Sequence, residues 1–158
     1  MAETPDGNSS GRLMLLSIHP RHVENILTGV KTVELRRTRP AIGPGQPVAI
    51  YATTPSAALV ATCRIERVEV GAPSAIWTAT GAGAAVTKDE FDRYFEGSTV
   101  AVALHLSSIA ALGRAVPLAK LRERGAFHPP QTWHYLDRFR LCRLFGEHPS
   151  FAALQCLI

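Results

Sequence analysis

The stretch from Leu13 to Arg37 constrains this chain more than any other. Leu13–Ile18 is apolar except for Ser17. A run this short and this continuous reads as a strand buried on both faces. Pro20 follows at once, and proline suits the first helical position because its missing N–H would be unpaired there anyway. Val23, Ile26, Leu27 and Val30 then recur at helical spacing, with Gly29 as the stop, which predicts a helix of about nine residues. From Lys31 to Arg37 the period changes to two. Val33 and Leu35 point one way and Thr32, Glu34 and Arg36 the other. The expectation is a half-buried strand with a polar, charged opposite face, so the chain opens strand–helix–strand.

The rest of the sequence bounds the domain count. A chain of 158 residues builds one well-buried core and is short for two. With 46% apolar and 19% charged residues it is not a disordered polyelectrolyte. A net charge of +4 and a pI near 9.3 permit a polyanionic partner without requiring one. Cys63, Cys142 and Cys156 are odd in number and far apart, with no CxxC, which speaks against a disulfide framework or a zinc site. Reduced thiols in a cytoplasmic protein are expected. Residues 1–12 are polar and small, without the apolar stretch of a signal peptide, and are expected to be a disordered tail. No run is long enough for a membrane span.

Further along, Ile42–Pro47 reads as a turn, Val48–Ala52 as a short strand, and Ala57–Val70 as a long strand. The parity of Ile65 and Val68 predicts a bulge near Glu66 or Arg67. Pro73–Val86 is rich in small residues and poorly patterned. One helical turn around Trp77 is expected there, and Gly81-Ala82-Gly83 reads as a flexible connector because it lacks phosphate-loop spacing. Thr87–Glu90 is a capping box opening a helix through Phe91, Tyr94 and Phe95. Val100–Ile109 reads as a strand, Pro117–Arg124 as a short helix and Trp133–Leu136 as a last strand. The order lacks regular βαβ alternation, so the predicted class is α+β: a small mixed β-barrel with short helices closing its ends. Residues 13–136 would form this domain. Residues 137–158, too apolar for a free tail, would pack on it or on a second subunit as a homodimer.

Candidate site residues concentrate near the opening unit. Lys31 stands where helix meets strand and supplies a flexible point charge. Arg36 offers a planar fork to phosphate or a base edge, and Glu34 can hold either cation or accept from an amine. Read by pattern alone, Thr32, Glu34 and Arg36 are better described as a solvated strand face with a weak ion pair. Arg37 and Arg39 extend the charge to the rim. Ser17 and His19 lie at the first strand–helix junction, where His19 caps the helix or takes part in chemistry. Tyr51 is placed either to stack on a base or to sit in the core, with Thr53 beyond it at the strand end. Gln131, after the rigid Pro129-Pro130, can read a base edge or bond backbone. The six histidines are scattered, and no metal-ligand spacing or cofactor motif appears.

The segment LLSIHPRHVENILTGVKTVELRR, with its GxKxxExR pattern from Gly29 to Arg36, resembles the opening of ASCH domains, a branch of the PUA-like superfamily. AIYAT, TKDEFDRYFEG and PPQTWHYL resemble later parts of the same family. The resemblance covers Leu13 to Leu136. It implies a small β-barrel with a cleft and a connection to RNA or modified nucleosides. Joined to the reading of the residues, the expectation is a basic cleft that binds RNA or a modified nucleotide through Ser17, His19, Lys31, Glu34, Arg36, Arg37, Tyr51, Thr53 and Gln131. The resemblance also raises a hydrolase alternative with Lys31 and Glu34 as catalytic residues, acting on RNA or on N4-acetylcytidine. For the latter the family uses a lysine, a threonine three residues on and an acid before the later helix. Here those last two places hold Glu34 and the alanines 84 and 85, so that triad is incomplete. A third alternative is a dimeric interaction module using the C-terminal segment.

Overall fold

The computed structural model describes residues 11–158. Strand β1 (Arg12–Ile18) takes in Arg12, the last residue of the expected tail, and the rest of that expectation, residues 1–10, lies outside the described residues. β1 runs parallel to β3 (Pro47–Ala52) and antiparallel to β6 (Trp133–Asp137). It is central and covered on both sides, which explains its unbroken apolar run. Leu13 and Leu15 face one core with Tyr51 and Leu136. Met14, Leu16 and Ile18 face another with Ile50, Ile65 and Leu104. Helix α1 (Pro20–Leu27) lays Val23 and Ile26 against that second group.

The six strands lie in the order β2-β5-β4-β3-β1-β6, with β2 at Val33–Arg36, β4 at Ala58–Gly71 and β5 at Ala101–Pro117. The β4–β5 register shifts between Ile65 and Arg67, where the parity change predicted a bulge. The α+β class holds, but the strand ladder is open rather than a closed barrel: β2 and β6 are its two ends. The reason is local. β2 has only four residues. Just before it, Thr32 N–H donates to the Gly83 carbonyl (2.9 Å) and the Thr32 carbonyl accepts from Leu106 of β5 (3.0 Å), while β1 already has two strand neighbours. A side chain spans the gap instead, as Arg36 of β2 donates to the Ser17 carbonyl of β1 at 2.8 Å.

Two helices depart from or refine the sequence reading. The weakly patterned stretch forms α2 (Pro73–Ala84), a twelve-residue helix rather than one turn and a connector. Alanine favours helix and Pro73 opens it. Only its C-terminal half lacks large residues, where the helix approaches closely: a Cβ at Gly83 would fall 2.5 Å from the Thr32 hydroxyl. Helix α3 (Lys88–Tyr94) begins with the predicted capping box, both of whose hydrogen bonds are present. Ile76 and Ala84 of α2 pack with Phe91 and Phe95 on Val33 and Leu35 of β2.

The C-terminal segment is part of the chain's own core. Helices α4 (Leu118–Arg122), α5 (Arg138–Phe145) and α6 (Phe151–Gln155) bury Leu121, Leu141, Phe145 and Leu154 over Leu13 and Leu15. Leu154 is 0% exposed. Leu154→Ala should therefore lower unfolding free energy by about 2–5 kcal/mol in chemical denaturation. A cost below about 1 kcal/mol would mean that α6 does not close this core.

Candidate nucleic-acid interface

The gap between β2 and the β1–β6 end of the sheet is a cleft of about 680 Å³. Ser17, Ile18 and His19 line one side, Lys31, Glu34, Leu35 and Arg36 the floor, and Gln131 and Thr132 the approach to β6. α1 contributes Arg21 and His22, and α3 contributes Glu90, Phe91, Arg93 and Tyr94.

The floor is a buried charge cluster. The face of β2 expected to be solvated is turned inward, leaving Lys31 2%, Glu34 7% and Arg36 8% exposed. Glu34 Oε1 accepts from Arg36 at 2.9 Å, and its other oxygen lies 3.4 Å from Lys31 Nζ. Lys31 also donates to the Ala84 carbonyl at 2.6 Å. Gly83 lets α2 come close enough to β2 for this contact to form. Burial pushes the Lys31 amine below its usual range, with Glu34 opposing. Arg36 Nε is buried without a hydrogen-bond partner among the described residues. Such a donor is costly to leave unmatched.

Above the floor, Arg21 and Glu90 pair at 2.8 Å and join α1 to α3. His19 caps α1, its Nδ1 accepting from the Arg21 N–H at 3.2 Å. His22 Nδ1 is buried without a partner, and burial followed by the Lys31 charge lowers the pKa of its ring. Its imidazole is therefore neutral at pH 7. The lining carries three arginines, Arg21, Arg36 and Arg93, together with Lys31, against the two carboxylates of Glu34 and Glu90, so the cleft is suited to an anion.

Six of the residues singled out in the sequence meet here: Ser17, His19, Lys31, Glu34, Arg36 and Gln131. Ser17 is already occupied, its hydroxyl donating to the Pro130 carbonyl at 2.6 Å. Arg37 is exposed on the rim and reaches the Glu96 carbonyl at 3.3 Å. Tyr51 is 2% exposed, inside the core against Leu13 and Leu15, and does not line the cleft. Thr53 does not line the cleft either; its backbone N–H donates to the Ile18 carbonyl at 3.0 Å. Arg21, His22, Arg93 and Tyr94 were not anticipated. Helical spacing offered a signal: His22 follows His19 by three positions, and Arg93 and Tyr94 lie three and four beyond Glu90. Among the described residues no cluster of His, Cys, Asp or Glu is grouped to hold a metal.

The cluster makes two predictions. Glu34→Gln strands two buried cations and should cost about 3–5 kcal/mol of stability. In Glu34→Gln/Lys31→Met part of that loss should return, and equal losses in both variants would show that Lys31 and Glu34 do not interact. Glu90 accepts the Thr87 N–H and is met by Arg21, which lowers its carboxyl pKa to about 2. Because the folded pKa is depressed, its contribution is present above the ordinary 4.5 and is lost as pH falls toward 2. Carboxyl titration by NMR should show this low midpoint, and a midpoint near 4.5 would mean the capping box does not hold in solution.

No protein-family model matches the sequence. The ASCH domain-containing ribonuclease of Zymomonas mobilis subsp. mobilis is 31% identical over 139 residues, covering 87% of this chain and 90% of its own length. The crystal structure of ASCH from Zymomonas mobilis superposes with a TM-score of 0.78 at 29% identity, over 85% of this chain and 94% of that one. The N-terminal domain of Staphylothermus marinus McrB, at 7% identity and a TM-score of 0.54 over 85% of this chain and 93% of that one, shares the fold alone. Identity at this level, sustained along nearly the whole length of both proteins, shows that the chain belongs to the ASCH domain family.

Proposed function

We propose that the cleft binds single-stranded RNA by a backbone phosphate and cleaves the chain there. The observation that carries this reading is the buried floor: two cations share one carboxylate, and Arg36 retains an unmatched Nε donor. A phosphate oxygen matches that donor and the excess charge together. The Zymomonas relative's description as a ribonuclease supports the choice of RNA.

Cleavage follows the simplest route open to these groups. Arg36 and Lys31 hold the phosphate and stabilise the charge that builds on its oxygens. His22 lines the cleft with its ring pKa lowered by burial, and its neutral imidazole takes the proton of the adjacent 2′-hydroxyl. The 2′-oxygen bonds to phosphorus, the 5′-oxygen leaves, and solvent returns a proton to it. Glu34 is a positioning residue that keeps both cations in place. Gln131, at the approach, is set to meet a base edge.

The alternatives fare less well. An acylated-nucleoside hydrolase of the family's kind needs a threonine three residues after Lys31 and an acid before the later helix, where this chain has Glu34 and the alanines 84 and 85. A dimerisation module needs a free apolar C-terminal face, whereas Leu141, Phe145 and Leu154 are used internally. The thiols of Cys63, Cys142 and Cys156 are unpaired, and burial pushes Cys63 up to about 12, so it is inert. Free thiols fit a reducing compartment, and the cytoplasm is the proposed location. No helix among the described residues is long and apolar enough to cross a membrane.

A labelled single-stranded oligoribonucleotide should be bound and cut. Its 2′-O-methyl analogue should be bound and left intact. Lys31→Ala and Arg36→Ala should each weaken binding roughly tenfold, and His22→Ala should slow cleavage by about 10²–10⁴ with little change in binding. Because the pKa of His22 is lowered, the wild-type rate should rise with pH through a midpoint below 6.5, and His22→Ala should lack that limb. Binding without cleavage would remove the catalytic half of the proposal. Binding unchanged in both Lys31→Ala and Arg36→Ala would remove the cleft.

A further inference from the structure

A second cationic pocket, of about 320 Å³, lies beside the cleft where the C-terminal helices meet the segment before β6. Arg124, Arg140 and Arg143 line it, with His128 and His134, and no carboxylate does. Among the described residues none of the three arginines is ion-paired, whereas Arg21, Arg36 and Arg67 each meet a glutamate. Three guanidinium groups gathered without a counter-charge repel one another, and an anion relieves that repulsion.

Two details describe how the pocket is put together. The Arg124 guanidinium lies over the backbone of Gly146, 2.1 Å from where a Cβ would stand. His134 Nε2 is buried without a partner among the described residues, and burial with the Arg140 charge lowers the pKa of its ring. A neutral imidazole with an unmatched nitrogen is available to donate to a ligand oxygen.

The pocket is also placed to serve the cleft. Gln131 and Thr132 line the cleft, while His128 and His134 line the pocket. Thr132 and His134 are two residues apart, no more than about 7 Å of chain. A few nucleotides of single strand cover such a span.

We propose that Arg124, Arg140, Arg143 and His134 form a second phosphate-binding pocket that holds a flanking phosphodiester of the RNA engaged in the cleft. The assignment rests on the RNA reading of the cleft and adds to it a minimum length for the tightly held strand. Stacking is left to other groups; the pocket contributes charge-assisted hydrogen bonds to the backbone and therefore no sequence preference.

The test compares the full chain with Arg140→Gln/Arg143→Gln, which spares Arg124 and its packing against Gly146. Two probes are used, a 2′-O-methyl dinucleotide and a 2′-O-methyl dodecamer of the same sequence composition. The wild type should bind the dodecamer more tightly. The double variant should lose roughly tenfold or more for the dodecamer, with its slope of log affinity against log salt reduced by about 0.7 per phosphate released. Its dinucleotide affinity should be unchanged. Arg36→Ala, by contrast, should weaken both probes. Equal dodecamer affinity in the double variant and the wild type overturns the second pocket and leaves the cleft standing. A wild type that binds neither probe overturns both. A double variant with an unchanged thermal midpoint but weakened dinucleotide binding would also contradict the proposal, because the two sites would then be one.

Discussion

One carboxylate holding two buried cations is the interaction on which the cleft depends. Taking Lys31, Glu34 and Arg36 out of water costs several kcal/mol per charge, and mutual attraction can offset this only where geometry is fixed. Glu34 supplies that geometry, with one oxygen to each cation. Backbone carbonyls of Ala84 and Ser17 complete the shells of Lys31 and Arg36. The remaining imbalance is the functional point. With Lys31 protonated the floor carries an excess positive charge in a poorly solvated place, and the cheapest remedy is an anionic ligand seated above it.

The fold is arranged around keeping that floor accessible. A closed barrel would place a strand where the cleft lies. Instead β2 stops after four residues, the end of α2 bonds Thr32 just before it, and Arg36 spans to β1 with a side chain rather than a ladder of backbone bonds. Gly83 permits the close approach of α2 that delivers the Ala84 carbonyl to Lys31. The aromatic packing of Phe91 and Phe95 sets α3 as the far wall. Stability comes from elsewhere, from the two cores on either face of β1, one of them closed by the C-terminal helices.

How much of this was legible in the sequence depends on the range of the signal. The strand–helix–strand opening, the bulge after Ile65 and the capping box at Thr87 are local patterns and appear as expected. The GxKxxExR segment pointed to the right family and to Lys31, Glu34 and Arg36. The period-two rule assigned Glu34 and Arg36 to one face correctly but could not say that the sheet curls that face inward. α2 was read as a connector because its C-terminal half is small and without a clear period, and those small residues are what the close approach at Gly83 requires. Tyr51 was ambiguous for the same reason: which face of β3 looks into the core is a tertiary fact. His22, Arg93 and Tyr94 enter the cleft through helix orientation, which spacing alone hints at but does not determine.

The central claim is that a phosphate sits on the buried floor, matched to Arg36. The most direct measurement follows the Arg36 Nε–H resonance by NMR while a 2′-O-methyl RNA dinucleotide is added. On this account the resonance moves with saturation of the site and its proton becomes protected from exchange. Shifts confined to exposed arginines such as Arg37 and Arg39, with Arg36 Nε–H unmoved at saturation, would contradict it.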